Sequence, residues 1–294
     1  MGLYEILFGA EANSSKQAQS WLSHAEGEVA MIVARGPEAY IDDPAHSIFI
    51  YARIRPLIAA ARMRKRSVLN EARWKTIPWT RRVKTAHDSL IDIFAEIPEV
   101  LENVDRFGCL SPDTLQDKVK DLETSAKCWT LHIQLQEWLT VHEHEIHTPV
   151  TTTATPIMFP NFDVACLTVR YWVMALQLYS TLDTASRIPP TDTTLAHADR
   201  PHPRQFARLI ARAAPYFFQE EFGIEGPTTF SFPLGNALLY MRRDPELDAE
   251  YSLLVRKTWN NPTLPRAIKS FLDSMRASVT TPPPPKVLIE KTDV

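Results

Sequence analysis

Glycine is scarce, with eight in 294 residues. No G-x-x-x-x-G-K-[ST] loop and no G-x-G-x-x-G turn occurs, so the usual backbone cradles for nucleotide phosphates are excluded. Cysteine is scarcer still. Cys109, Cys128 and Cys166 are odd in number, far apart and without a C-x-x-C pair. That excludes a disulfide scaffold and a zinc site built on thiolates, and it fits a reducing intracellular compartment. Positive charge is not in excess either. The 32 Lys and Arg face 35 Asp and Glu, a net charge of −3, so the chain lacks the basic surplus of a surface that grips nucleic acid.

The opening residues, MGLYEILFGAEANSSKQ, have no basic region before an apolar run, which excludes a secretory leader. Ile6 stands where a myristoylation signal has Ser or Thr. No G-x-S-x-G elbow occurs, and no Ser or Cys sits in a local signature beside a histidine. No catalytic residue is assigned and no cofactor is implied. Long apolar runs are also missing. The nearest, FDVACLTVRYWVMALQLY (Phe162–Tyr179), is broken by Asp163, Arg170 and Gln177. A bilayer span needs ~20 mostly apolar residues, and a central Arg costs ~2.5–3.5 kcal/mol. The run is expected to be a buried helix of a soluble bundle, with no membrane partner.

What is present is helical periodicity from end to end, over a chain that is 45% hydrophobic and so able to build a sizeable core. Helices are expected over Gln17–Ala34, stopped by Gly36-Pro37, and over Ala45–Lys65. Another is expected over Ala86–Asn103, interrupted by Pro98. The longest, capped by SPDT (Ser111–Thr114), runs to about His144 with Leu115, Val119, Leu122, Ala126, Trp129, Ile133, Leu135 and Trp138 as its apolar stripe. Further helices are expected over Phe162–Tyr179, Arg204–Phe222, Pro233–Arg242, Pro245–Asn260 and Pro262–Ser278. The fold class is therefore all-α, a single irregular multi-helix bundle of about nine to ten helices. Residues 1–16 form an N-terminal segment and 17–278 the helical domain, with Thr/Pro loops at 148–160 and 186–203. Residues 279–294 are a flexible Pro-rich tail.

Six clusters occur in a definite order: WLSHAEGEVAMIVARGP (Trp21–Pro37), RMRKRSVLNEARWKTIPW (Arg62–Trp79), DSLIDIFAEIPEVLE (Asp88–Glu102), CWTLHIQLQEWL (Cys128–Leu139), FPNFDVACLTVRYWVMALQLY (Phe159–Tyr179) and RLIARAAPYFFQEEFGIEGPTTFSFPLGNALLYM (Arg208–Met241). Together they resemble the fungal-specific transcription factor domain, the helical regulatory region C-terminal to zinc binuclear-cluster DNA-binding modules. The resemblance covers about Trp21 to Ser278. It implies a helical fold, a core that responds to a small molecule, transcription regulation in the nucleus and a link to secondary-metabolite gene clusters. The six clustered cysteines of the DNA-binding module are not in this sequence. Direct nucleic-acid binding is therefore not expected of it; a protein partner or small-molecule effector is, with homodimer and heterodimer both open. The alternative is a cytoplasmic, cofactor-independent enzyme of fungal secondary metabolism, of the cyclase or isomerase type, using the helical cavity.

Among candidate sites, VHEHEIHTP (Val141–Pro149) concentrates three histidines and two glutamates. A zinc-protease helix needs His-Glu-x-x-His, whereas the position four after His142 is Ile146. The run is read as the polar end of the longest helix, and no metal is assigned. Arg62, Arg64, Lys65 and Arg66, with Arg81, Arg82 and Lys84, form two basic clusters suited to nuclear import, to phosphates, or to a solvated helix end. Trp74 and Trp79 flank a Pro-fixed turn as core anchors or an aromatic cage. Arg170 is the most surprising charge, lying in the most apolar helix. It calls for a carboxylate, Asp163 or a glutamate of the long helix, or else a ligand anion. Arg170, Trp172, Trp129 and Tyr216 are the ligand-pocket candidates.

Overall fold

A computed structural model describes residues 14–107, 115–185 and 200–260, and all the regular structure among them is helical. The expected Ser111–Thr114 cap, the Pro262–Ser278 helix, the 279–294 tail and most of the 186–203 loop lie outside the described residues. Helix α1 (Ser14–Arg35) ends at Gly36, whose φ of 74° suits glycine, and Pro37 opens the short turn that follows. The stretch expected as one helix over Ala45–Lys65 is two, α2 (Ala45–Ala52) and α3 (Ile54–Met63). Pro56 has no N–H for the Ala52 carbonyl and its ring crowds that oxygen, so the helix breaks at Arg53. A five-residue turn of helix, α4 (Ala72–Thr76), carries Trp74.

The same chemistry divides α5 (Ala86–Phe94) from α6 (Ile97–Phe107), because Pro98 denies an N–H to Phe94. A reciprocal capping box of Thr85 and Asp88 opens α5. Helix α7 (Leu115–His142) is the longest and passes into a single 3-10 turn at Glu143–Glu145. Its inward face departs from the expected stripe. Leu122 and Ile133 are exposed, while Cys128, Leu131, Leu135 and Trp138 are buried.

Helix α8 (Phe162–Ala185) is the hub: α5, α6, α7, α9 (Pro203–Phe217) and α10 (Glu225–Met241) all pack on it. That explains an apolar sequence on nearly every face. Among the described residues no helix is long and apolar enough to cross a membrane. Helix α11 (Ala249–Trp259) closes the bundle against α9. The approach of α10 to α9 requires Gly226, where a Cβ would lie 2.2 Å from the Phe217 carbonyl oxygen. Stacking of Phe217 on Phe230 fills the space below, with centroids 4.6 Å apart.

Candidate functional site

Among the described arginines Arg53 and Arg212 are buried and Arg170 is half-buried, and the packing meets each differently. Arg53, at the break between α2 and α3, is 3% exposed. It donates from Nη1 to Asp92 at 2.7 Å, and from Nη2 to the Asp88 carboxylate at 3.1 Å and carbonyl at 3.0 Å. The guanidinium lies 4.4 Å from the Trp79 ring, and Lys84 pairs with the other oxygen of Asp92. Trp79 and Trp74 are thus core, Trp74 stacked on Phe49 and Trp79 edge-on to it, as anchors of an irregular segment are. Sequence reading missed Arg53. The available signal was Asp88 and Asp92, four apart and so on one face of α5.

Arg212, in α9, is equally buried but meets no carboxylate. It donates to the carbonyls of Thr155 at 2.9 Å and Thr151 at 2.6 Å, and to the Thr151 hydroxyl at 3.1 Å. The Thr/Pro stretch after α7 is therefore seated on α9, where the Ile157 N–H donates to the Arg212 carbonyl. The Tyr251 hydroxyl of α11 also donates to Thr152.

Arg170 differs from both. Among the described residues its half-buried guanidinium makes no hydrogen bond and no ion pair. Asp163, expected as its partner, is exposed and lies two turns back on α8. Burial lowers the Arg170 pKa from its ordinary value, opposed by Cys166, Tyr51 and Asp163 nearby. The side chain lines a cavity of about 360 Å³, within the ~300–1,000 Å³ range of small-molecule sites. Ile58 of α3, Phe94 of α5, Val173 and Met174 of α8 and Phe232 of α10 make its apolar walls. Thr228, Thr229 and Ser231 bring hydroxyls from α10. At one side Arg55 is matched by Glu28 at 3.0 Å. Beyond Phe232 and Ser231, which belong to both linings, lies a second cavity of about 320 Å³. There Gln177 donates to Asn236 Oδ1 at 3.1 Å.

Of the other residues singled out with Arg170, none is on the lining of its cavity. Trp172 is buried beside Phe159, ring centroids 6.0 Å apart. Tyr216 sits in the same aromatic cluster, 5.0 Å from both Phe159 and Phe222, and burial raises its pKa. Trp129 packs edge-on against His132, 5.5 Å away on α7. His132 Nδ1 in turn lies 3.0 Å from the Tyr179 hydroxyl, which also accepts from Gln136. Close behind the cavity, His87 of α5 has its Nε2 buried without a partner. Its pKa falls to about 3 through burial, then the Arg170 charge, with Asp88 opposing and Arg53 adding a smaller push.

The histidine run ends α7 as a local arrangement. His142 Nδ1 lies 2.7 Å from Glu145, His144 is exposed, and the His147 ring packs against Phe159. Among the described residues no group of three His, Cys, Asp or Glu could hold a metal ion. The basic clusters are matched by carboxylates: Arg64 by Asp105 at 2.6 Å, Arg66 by Glu102 at 2.9 Å, and Arg81 by Asp42 at 3.0 Å. Lys65 also faces Glu102, and Arg82 faces Asp43. Arg62 lies over the Trp21 ring. The hydrogen bonds from Arg66 hold the Glu102 pKa down to about 2. The exposed pairs among these, Arg64 with Asp105 and Arg81 with Asp42, are each worth ~0–1 kcal/mol, and all of them offset the local field a phosphate would need. No family model, curated protein or solved structure matches the chain.

Proposed function

We propose that this chain is a regulatory domain of the fungal transcription-factor type, acting through a small effector held in the Arg170 cavity and through protein partners. The observation that carries the reading is the unmatched guanidinium facing a cavity of ligand size. The ordered clusters from Trp21 to Met241 supply the resemblance. The cavity walls come from α1, α2, α3, α5, α8 and α10, so an occupant touches segments from Trp21 to Pro233 at once. A ligand that binds one arrangement of these helices better than another shifts the population toward it. A place in the nucleus and a link to a secondary-metabolite gene cluster belong to the same proposal.

Gene deletion and chromosomal Arg170→Gln replacement test it, with transcripts of neighbouring genes and metabolites measured in parallel. Changed transcripts in both strains are expected. Unchanged transcripts with an accumulating intermediate overturn the regulator and establish the enzyme.

A further inference from the structure

We infer that the effector is an apolar monocarboxylate, its acid group held by Arg170 and its body by the apolar walls of the cavity; this rests on the effector reading above. The charge decides the head group. A guanidinium remains charged at any physiological pH, so a half-buried one with open donors must be met by an anion or by water. Its planar fork fits the two oxygens of a carboxylate, and such bonds strengthen where water is scarce.

One unmatched cation calls for one negative charge. Arg55, the other arginine on the lining, already pairs with Glu28. Glu225 borders the cavity as well, so the lining holds two arginines and two carboxylates, a balance that disfavours a doubly charged head group. The walls decide the body. Ile58, Phe94, Val173 and Met174 offer only apolar contact, and each methylene placed among such groups contributes ~0.8 kcal/mol. Thr228 and Thr229 add hydroxyls along one side for a polar substituent. Phe232 limits the length: its ring meets Phe94 edge-on at 5.8 Å and stands between this cavity and the second.

Calorimetric titration of the full chain with naphthylacetate, naphthylethanol and naphthyl phosphate tests the assignment, repeated with octanoate and octanol. Each acid should bind about tenfold to a hundredfold tighter than its alcohol, the range of one or two charge-assisted hydrogen bonds. The phosphate should bind more weakly than naphthylacetate. Arg170→Gln, checked for folding by circular dichroism, should erase the preference for acid; Arg170→Lys should keep part of it. Equal binding of acid and alcohol by the natural chain overturns the carboxylate assignment and leaves the effector reading standing. So does a tighter naphthyl phosphate complex, or an acid preference that survives in Arg170→Gln. Binding of none of the five probes overturns both.

Discussion

Arg53 and Arg212 on one side, and Arg170 on the other, are the same side chain entering the same interior, and they end in different states. Arg53 is enclosed by two carboxylates and a carbonyl, Arg212 by carbonyls and a hydroxyl of the Thr/Pro stretch. Both spend their donors on holding segments distant in sequence. Arg53 does so through its two terminal nitrogens, its buried Nε making no hydrogen bond. Arg170 holds nothing and faces open volume. A buried charge tied to fixed partners is a structural joint; one whose whole fork is open is a place for something else to bind.

Removing each arginine in turn breaks this comparison if it is wrong. Arg53→Met leaves the buried Asp88 without its cation and Asp92 with Lys84 alone, and loss of one partner of a buried pair costs about 3–5 kcal/mol. Urea denaturation measures this, and a loss below about 1 kcal/mol would show that the pair is solvated. Arg212→Met breaks charged bonds to neutral acceptors, so a smaller loss of about 2–3 kcal/mol is expected. Proteolysis between residues 148 and 160 should quicken with it. Unchanged cleavage there would mean that Tyr251 and Ile157 suffice to seat the stretch.

Arg170→Met should have the smallest effect, a stability change within about 1 kcal/mol, because no partner is orphaned. Its pH dependence sharpens the point. His87 is neutral in the fold down to about pH 3, whereas the unfolded chain takes its proton near 6.5. The unfolded state therefore binds more protons between these values, and stability falls as pH drops through that window. Removing the Arg170 charge raises the His87 pKa, so the fall should end at a higher pH and be smaller in total in Arg170→Met. Glu102 adds a decline common to both proteins, as pH falls from 4.5 toward about 2. Identical midpoint curves between pH 4.5 and about 3 would separate His87 from Arg170.

Sequence reading reached the helices that depend on local signals. Gly36-Pro37 ends α1, Pro98 marks the division of α5 from α6, and the Phe162 run is the hub helix. It did not reach the break at Arg53, because Pro56 acts on a carbonyl four residues earlier and no polar punctuation marks the place. Proline is no sure guide either, since Pro215 and Pro233 lie inside α9 and α10. In the candidate site Arg170 stood out by charge in an apolar run. Trp172, Tyr216 and Trp129 also stood out, but ring size does not say whether a side chain borders a void or fills one. A cavity is what the packing of six helices leaves over, and its lining runs from Trp21 to Pro233 with no spacing rule.

The Thr/Pro stretch has a practical consequence for anyone handling the protein. Val150 is fully exposed and Thr151, Thr152 and Thr153 are largely open to solvent, so the segment reads as a spacer fit for a tag or a cleavage site. Yet Thr151, Thr152, Thr155 and Ile157 are each tied to α9 or α11 through their backbone. An insertion there changes the length of a fastened strap, and the strain falls on Arg212 at the back of the bundle.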